Sequence, residues 1–168
     1  MQKLGILSVL VLLTSSCFKD VNQPTTISAY KPILVDRKTL ATTVTFEKAT
    51  DLNKPGKICI SSNFVFITEP FLGVHVFDNS DPSKPVNLGL IRVLGVQNID
   101  IKGNTLFADN ATDIIAIDIS NPTIPVVKTR LENIIPNPGI PDGKTLDDPV
   151  SAATWPANTV VVGWENLK

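Results

Sequence analysis

Short apolar runs, rather than a helical period, dominate the middle of this chain. Between residues 57 and 93 each run is rich in Val, Ile and Phe and is bounded by Gly, Pro, Asn or Ser, which is typical of β-strands. The runs are Lys57–Ser61, Phe64–Thr68, Gly73–Phe77 and Val86–Arg92. Ser62-Asn63 separates the first two runs and predicts a tight hairpin, because Asn tolerates a positive φ. The stretch therefore predicts a unit of four antiparallel strands.

The same pattern recurs in residues 98–131. Ile58 aligns with Ile99 and Phe66 with Phe107 at an offset of 41, and Gly103-Asn104 takes the place of the hairpin dipeptide. After one residue is lost in a loop, Asp78 aligns with Asp118 at an offset of 40. A period near forty with four strands per unit is typical of a propeller blade. We therefore expect an all-β fold of about two propeller-like blades, at 53–94 and 95–135, in an incomplete ring.

Each unit carries the same turn sequence, Asp-x-Ser-[Asp/Asn]-Pro-x-x-Pro-Val, between its third and fourth strands. A short carboxylate there can accept backbone N–H groups in an Asx-turn, and proline cannot donate to a sheet ladder. We therefore assign a structural role to these eight residues: Asp78, Ser80, Pro82, Pro85, Asp118, Ser120, Pro122 and Pro125. The alternative, that Asp78, Asp81 and Asp118 are calcium ligands, needs oxygens that converge within one short loop.

The first twenty residues predict an export signal. A basic start is followed by ten residues, Leu4–Leu13, that are largely apolar, then by small residues and Cys17. Ten residues span roughly 15 Å as a helix, which is half of a bilayer core. The segment resembles a bacterial lipoprotein signal, and the resemblance implies that residues 1–16 are removed and that Cys17 carries lipid. The alternative is an ordinary signal peptide that is cut elsewhere and leaves Cys17 as a free thiol.

The residues after Cys17 bear on localisation. Phe18-Lys19-Asp20 resembles the surface-export signal of Bacteroidetes lipoproteins, although the same residues can serve as a plain polar spacer. We expect an outer-membrane lipoprotein of the cell envelope that is displayed on the surface, with the periplasmic side as the alternative. Residues 17–29 are polar and predict a tether between lipid and fold.

The segments that flank the repeats are less regular. Residues 30–52 predict an extension that packs on the blades, in which Asp36 caps a short helical turn, Arg37–Leu40. Residues 136–168 contain a loop rich in Pro and Gly, then a strand-like run, Thr159–Trp164, that opens a possible third unit.

The paired repeats carry a family resemblance. The segments GVHVFDNSDPSKPV and DIIAIDISNPTIPV resemble LVIVD repeats, and the lead-in from Tyr30 is similar to the N-terminal part of Bacteroidetes lipoproteins that contain them. The resemblance implies a β-propeller of the cell envelope. It supplies no catalytic residue for this sequence.

Composition narrows the chemistry. A net charge of -1 lacks the basic footprint of a nucleic-acid binder, and 43% hydrophobic with 18% charged residues argues against a disordered chain. His75 is the single histidine and Cys59 the single cysteine beyond Cys17, so most triads and zinc sites cannot be assembled. We read Cys59 as a small buried hydrophobe, and His75 as either a ligand-facing group or a satisfied or exposed side chain. We expect no enzyme activity, no cofactor and no metal.

Two hypotheses about function remain. The first is a lipid-anchored, non-catalytic binding or scaffolding module with a protein or glycan ligand, for which Trp155 and Trp164 could form a platform or serve only as core anchors. The second is a carbohydrate-active enzyme that uses two acidic residues. Its candidates are Asp100, Asp109, Asp113, Asp147 and Asp148.

Length and pattern give two further expectations. A propeller closes with about four to eight blades, so two blades call for C-terminal blades that are missing or for a partner at their edge strands. We also expect Ile60 and Phe107 to face the core, so that Asp at either position would unfold the repeats.

Overall fold

A computed structural model describes residues 27–146 and 151–168, and these residues are almost entirely β-structure. The strands are β1 (Tyr30–Asp36), β2 (Thr45–Glu47), β3 (Ile58–Ser61), β4 (Phe64–Glu69), β5 (Gly73–Asp78), β6 (Val86–Arg92), β7 (Ile99–Lys102), β8 (Thr105–Asn110), β9 (Asp113–Asp118), β10 (Val126–Leu131) and β11 (Thr159–Asn166). One α-helix, α1 (Arg37–Thr42), follows β1, and a 3₁₀ turn (Ala152–Thr154) precedes β11.

The first sheet contains the first repeat and one additional strand. Its order is β2-β6-β5-β4-β3, and all of its pairs are antiparallel. The observed β6 has the predicted bounds, and β4 and β5 each extend one residue beyond the prediction. The hairpin between β3 and β4 has its positive φ at Ser62 (52°) rather than at the asparagine that follows.

The second sheet repeats this topology. Its order is β10-β9-β8-β7, and the hairpin between β7 and β8 has its positive φ at Gly103 (60°). The predicted class, all-β with antiparallel propeller-like blades and no closed ring among the described residues, is therefore confirmed. A difference lies at the outer edge: β2 pairs with β6 in the first sheet, whereas no described strand pairs with the outer edge of β10.

A single apolar core lies between the two sheets. We call the strand face that carries Phe66 in the first sheet, and Phe107 in the second, the front face; the opposite side is the back face. Residues that pair across neighbouring strands share a face, which assigns each core residue to one side of its sheet. By this assignment the core lies between the front face of the first sheet and the back face of the second. Its buried side chains include Phe66, Val74, Val76, Ile91, Ile99, Leu106, Ala108, Ile115 and Ile117.

The expectation that Ile60 and Phe107 face this core is wrong. Ile60 lies on the back face of the first sheet and is 69% exposed, and Phe107 lies on the front face of the second and is 40% exposed. Phe66 and Phe107 are equivalent in sequence, but the sheets stack front to back, so only one of the two faces is covered. The alternation of side chains along a strand shows which residues share a face, but it does not show which of the two faces packs against the neighbouring sheet.

Strands from opposite ends of the described chain form a separate two-stranded ribbon. β1 pairs with β11 in antiparallel fashion from Tyr30↔Asn166 to Asp36↔Thr159, so β11 does not add to a four-stranded sheet. The predicted cap is confirmed: Asp36 precedes α1, and its side chain accepts a hydrogen bond from Lys38 N. A small cluster of buried side chains anchors α1 and the ribbon to the blades: Leu40, Ala111, Val160 and Val162.

No helix in the described part of the chain is long and apolar enough to cross a membrane. The predicted signal segment, Cys17 and the tether up to residue 26 lie outside the described residues, as do Asp147 and Asp148.

Candidate functional site

The repeated turn residues form local hydrogen bonds. In both repeats the aspartate that ends the third strand accepts a backbone N–H two residues later, at 2.8 Å between Asp78 Oδ1 and Ser80 N and at 2.9 Å between Asp118 Oδ1 and Ser120 N. The Ser120 hydroxyl also donates to Asp118, which has Lys128 Nζ 3.1 Å away. The backbone N–H of Ser120, its hydroxyl and Lys128 lower the pKa of Asp118 to about 2. These carboxylates are therefore ionised turn formers at neutral pH.

The prolines complete the same turns. Pro82 and Pro122 lie within the turn, while Pro85 and Pro125 immediately precede β6 and β10. Asp81 forms a second turn of the same kind, because Asp81 Oδ1 accepts Ser83 N at 3.0 Å.

Asp113 lies at the centre of the most densely bonded polar cluster among the described residues. Its Oδ1 accepts from Arg37 Nη1 at 3.1 Å and from Asn133 N at 3.0 Å, and its Oδ2 accepts from Arg130 Nη1 at 2.8 Å. Burial raises the pKa of Asp113, but the hydrogen bonds from Asn133, Arg130 and Arg37 outweigh burial and hold the pKa below its ordinary value. Arg37 also bonds to the Thr112 and Asn133 side chains. The cluster joins α1, β9, β10 and the loop after β10.

A second buried polar pair lies on the back face of the first sheet. His75, fully buried on β5, has its Nε2 2.9 Å from Glu69 Oε2 on β4. Its Nδ1 has no hydrogen-bond partner within the described residues, and the ring stacks on Phe77 with centroids 6.4 Å apart. One of the two ring nitrogens of His75 therefore has a hydrogen-bond partner among the described residues, and the side chain does not face solvent. The repeat places Ile115 and Asn110 at the equivalent positions of the second sheet, so this pair is specific to the first.

Two equivalent side chains clamp the chain as it enters each sheet. Thr68 Oγ1 accepts Lys57 N at 2.7 Å, and Asp109 Oδ1 accepts Gln97 N and Asn98 N at 2.7 and 2.8 Å. Asp109 Oδ2 also accepts from the Asn98 side-chain amide at 3.2 Å. Both oxygens of Asp109 are therefore engaged, Oδ1 by two backbone N–H groups and Oδ2 by a side-chain amide.

The front face of the second sheet is open and apolar. A concavity of about 280 Å³ lies over it, with Phe107, Ile114 and Ile135 among its lining residues and Lys57, Asp100 and Asp109 as its charged ones. A second concavity of about 190 Å³ shares Phe107 and Ile114 and extends to Ala116, Thr129 and Leu131. Together they form one apolar surface, which we call the open front face. Asp100 and Asp109 are the two predicted acidic candidates that the structure brings to this surface.

The remaining candidates do not gather there. Asp113 belongs to the arginine cluster. Trp164 lies opposite Pro32 in the ribbon, and its buried Nε1 has no hydrogen-bond partner among residues that the structure describes, while Trp155 follows the 3₁₀ turn. Cys59 is half-buried between the sheets, with its Sγ 3.7 Å from Ile99 O, and burial raises the pKa of its thiol. Among residues 27–146 and 151–168, no group of three or more His, Cys, Asp or Glu side chains could hold a metal ion.

Sequence reasoning missed the arginine cluster and the histidine–glutamate pair. Arg37 and Asp113 are 76 residues apart, and no local pattern connects them. The His75–Glu69 pair had a usable signal, because two adjacent antiparallel strands joined by a short turn place side chains of matching parity on one face.

Fold and surface together define a repeat protein of antiparallel, propeller-like blades with an open apolar face. Residues 95–132, which contain the second sheet, match the family model described as LVIVD repeat. This match supports the repeat family for the segment. No match was found among curated proteins or among solved structures.

Proposed function

We propose that this chain is a lipid-anchored cell-envelope protein of the propeller-like repeat type that binds a macromolecular partner without catalysis. The observation that carries the proposal is the open front face. Exposed apolar surface of this kind is rare on monomeric proteins except where another molecule docks.

Comparison of the two repeats supports a docking role. In the first sheet the front-face residues Phe66, Val74 and Val76 are fully buried. In the second sheet the front-face residues Phe107 and Leu131 are also apolar, but they are 40% and 53% exposed. Covering the face would remove this apolar area from water, which contributes roughly 25 cal/mol per Å².

The engagement of the polar side chains supports a non-catalytic role. Asp113 neutralises two arginines, Asp109 holds the backbone of Gln97 and Asn98, and His75 is buried against Glu69. Each of these groups would have to lose a structural bond before it could exchange protons with a substrate.

Lipid anchoring rests on the sequence of residues 1–20. The test is to express the full chain in a bacterium that lipidates exported proteins and to analyse the mature N-terminus by mass spectrometry. We expect cleavage before Cys17 and a diacylglyceryl mass on it, with loss of the membrane-bound fraction in Cys17→Ala. A mature chain that starts elsewhere, or an unmodified Cys17, would overturn the anchor.

The docking role is tested by a photo-crosslinking amino acid at position 107 in the same envelope preparation. The matched control carries it at Ile124, which is 65% exposed but lies in the turn before β10. We expect adducts from position 107 that exceed those from position 124. Equal yields from the two positions would reject the open front face as a docking site.

A carbohydrate-active enzyme is the second candidate, and it rests on Asp100 and Asp109 lining one concavity. It predicts hydrolysis of some polysaccharide by the purified chain and loss of that hydrolysis in Asp100→Asn. If the chain hydrolyses no glycan in a panel, whether or not it binds one, the enzyme hypothesis is rejected and only the binding role remains.

A further inference from the structure

The outer strands of the two sheets, β6 and β10, match in detail. The repeat offset of 40 aligns them along their whole length. Each strand also carries an irregularity at the equivalent position, because the register with the neighbouring strand skips Leu88 in β6 and Lys128 in β10. The strand that pairs with the outer edge of β6 is therefore a guide to what the outer edge of β10 can accept.

The outer edge of β6 is covered by the short strand β2. Phe46 lies opposite Ile91, and its ring passes so close to Gly89 that a Cβ there would overlap it. On the back face, Glu47 Oε1 lies 3.6 Å from Arg92 Nε. The covering strand thus places one aromatic side chain on the front face and polar side chains on the back face.

The second sheet has a concavity at the place that corresponds to Phe46. Thr129 and Leu131, the repeat equivalents of Gly89 and Ile91, line the concavity of about 190 Å³ on the open front face. Leu131 is 53% exposed, whereas Ile91 is fully buried. No described strand pairs with the outer edge of β10. The edge and the concavity beside it are therefore both accessible among the described residues.

We propose that the outer edge of β10 binds an extended segment of a partner protein, paired antiparallel as β2 pairs with β6, with an aromatic side chain opposite Leu131. This inference rests on the proposed function and names the chemistry of the partner. The unpaired N–H and C=O groups of an edge strand supply affinity for such a segment, and a pocket for an alternate side chain supplies specificity.

The concavity differs in shape from its counterpart in the first sheet. Thr129 carries a side chain where Gly89 has none, so it excludes the close approach that the Phe46 ring makes. Ala116, which also lines the concavity, is smaller than its repeat equivalent Val76 and leaves room one strand further in. We therefore expect the incoming ring to lie over Ala116.

Charged residues at the end of β10 define the neighbours of the aromatic residue. Exposed Glu132 takes the place of Arg92, so the charge at that position is reversed. Arg130 takes the place of Leu90, and its buried Nη2 has no hydrogen-bond partner among the described residues. In the register of β2, the residue before the aromatic faces Glu132 and the residue after it faces Arg130. Opposite charges in such pairs are stabilising, so the expected pattern is basic-aromatic-acidic.

The first test uses a fluorescent synthetic octapeptide with the sequence of residues 43–50 and the change Thr45→Lys, which gives the expected pattern. The full chain is titrated into it, and binding is followed by fluorescence anisotropy. We expect saturable binding that is weaker by roughly tenfold or more when the peptide also carries Phe46→Ala, because the aromatic side chain is no longer buried. Absence of saturable binding at millimolar chain concentration would overturn the proposal.

Pairing through the backbone is tested with two further forms of this peptide, N-methylated at alternate residues in the two possible phases. Successive residues of a strand direct their backbone groups to opposite edges, and only one edge of the bound peptide faces β10. We expect one form to lose binding and the other to keep it. Equal affinities of the two forms, whether kept or lost, would contradict strand pairing.

The register is tested by reversing the charge of Glu132. Glu132→Arg is expected to weaken the peptide with Thr45→Lys and to favour a peptide with Thr45→Glu, each by up to about fivefold, as exposed ion pairs do. The matched control is Glu165→Arg, which reverses an exposed charge on the ribbon and should leave the order of affinities unchanged. An unchanged order in Glu132→Arg would overturn the proposed register.

The photo-crosslink at position 107 separates this inference from the proposed function. Preferential crosslinking at position 107 without peptide binding would overturn the inference and leave the proposed function standing. Equal crosslinking at positions 107 and 124 would reject both. A chain that sediments as an oligomer, and dissociates when the peptide is added, would assign the edge of β10 to a second copy and overturn the partner segment.

Discussion

At the scale of single residues, Asp113 connects parts of the chain that are far apart in sequence. One buried carboxylate accepts hydrogen bonds from Arg37, Arg130 and the backbone of Asn133. Each partner lies on a different element, so this one side chain links α1, β10 and the loop after β10.

Asp113→Ala is expected to destabilise the fold by about 3–5 kcal/mol, because it leaves two largely buried arginines without a counter-charge. Urea unfolding measures the loss. Asp100→Ala removes an exposed carboxylate and is the control, with a change within about 0.5 kcal/mol. Equal effects would show that the arginines find other partners.

The pH dependence of this cluster follows from the lowered pKa of Asp113. A carboxyl whose pKa is lower in the folded state contributes stability above its unfolded value of about 3.9, and this contribution is lost as pH falls through the folded pKa. The difference in stability between the parent and Asp113→Asn should therefore shrink under acid conditions. A difference that is constant with pH would contradict an ionised Asp113.

Phe66 and Phe107 provide a matched pair, because they occupy the same repeat position in different surroundings. Phe66→Asp is expected to unfold the protein, since it would bury an unpaired charge. Phe107→Asp replaces a side chain that is 40% exposed and should leave a folded chain. Thermal melting with circular dichroism distinguishes the two, and equal loss of structure would mean that the open front face is covered in solution.

At the scale of elements, the pairing of β2 with β6 requires a close approach of the two strands at Gly89 on β6. Gly89 has a φ of +153°, and a Cβ there would overlap the Glu47 carbonyl oxygen and the Phe46 ring on β2. The register of β5 against β6 also shifts near this point, between Val76 and Phe77.

Gly89→Ala is therefore expected to displace β2 and to cost about 1–3 kcal/mol, as overpacking does. Gly139→Ala is the control, because a Cβ added at that glycine would meet no other atom within 4 Å. Chemical denaturation gives the cost, and amide exchange at Thr45–Glu47 reports on β2. If β2 keeps its protection in Gly89→Ala, the close approach does not determine its pairing.

Elements with local signals were predictable from the sequence, and pairings between distant segments were not. The four strands of each repeat follow from alternating apolar residues bounded by Asx and proline turns, and the bounds of β6 agree with its apolar run at both ends. The pairing of β1 with β11 joins Tyr30 to Asn166, and the sequence of neither strand indicates which strand it pairs with. The arginine cluster escaped prediction for the same reason, because only the fold brings Arg37 to Asp113.

At the scale of the whole molecule, the two sheets share one core and should unfold together. Leu106→Ala lies in the second sheet and is expected to cost about 2–5 kcal/mol through loss of burial and a cavity. Because Leu106 belongs to the same cluster as Phe66 and Val74, hydrogen exchange should rise by a similar factor in both sheets. Faster exchange confined to β7–β10 would show instead that the blades unfold independently.

The ribbon of β1 and β11 also determines how the molecule responds to mechanical force. The two strands are antiparallel, and Leu167 N donates to Ala29 O at 2.8 Å, so the outer ends of the ribbon lie side by side. A pull applied between residues 27 and 168 therefore loads the ladder at one end and opens its hydrogen bonds one after another, as a zipper opens. The ribbon would yield at low force, before the five-stranded and four-stranded sheets bear the load.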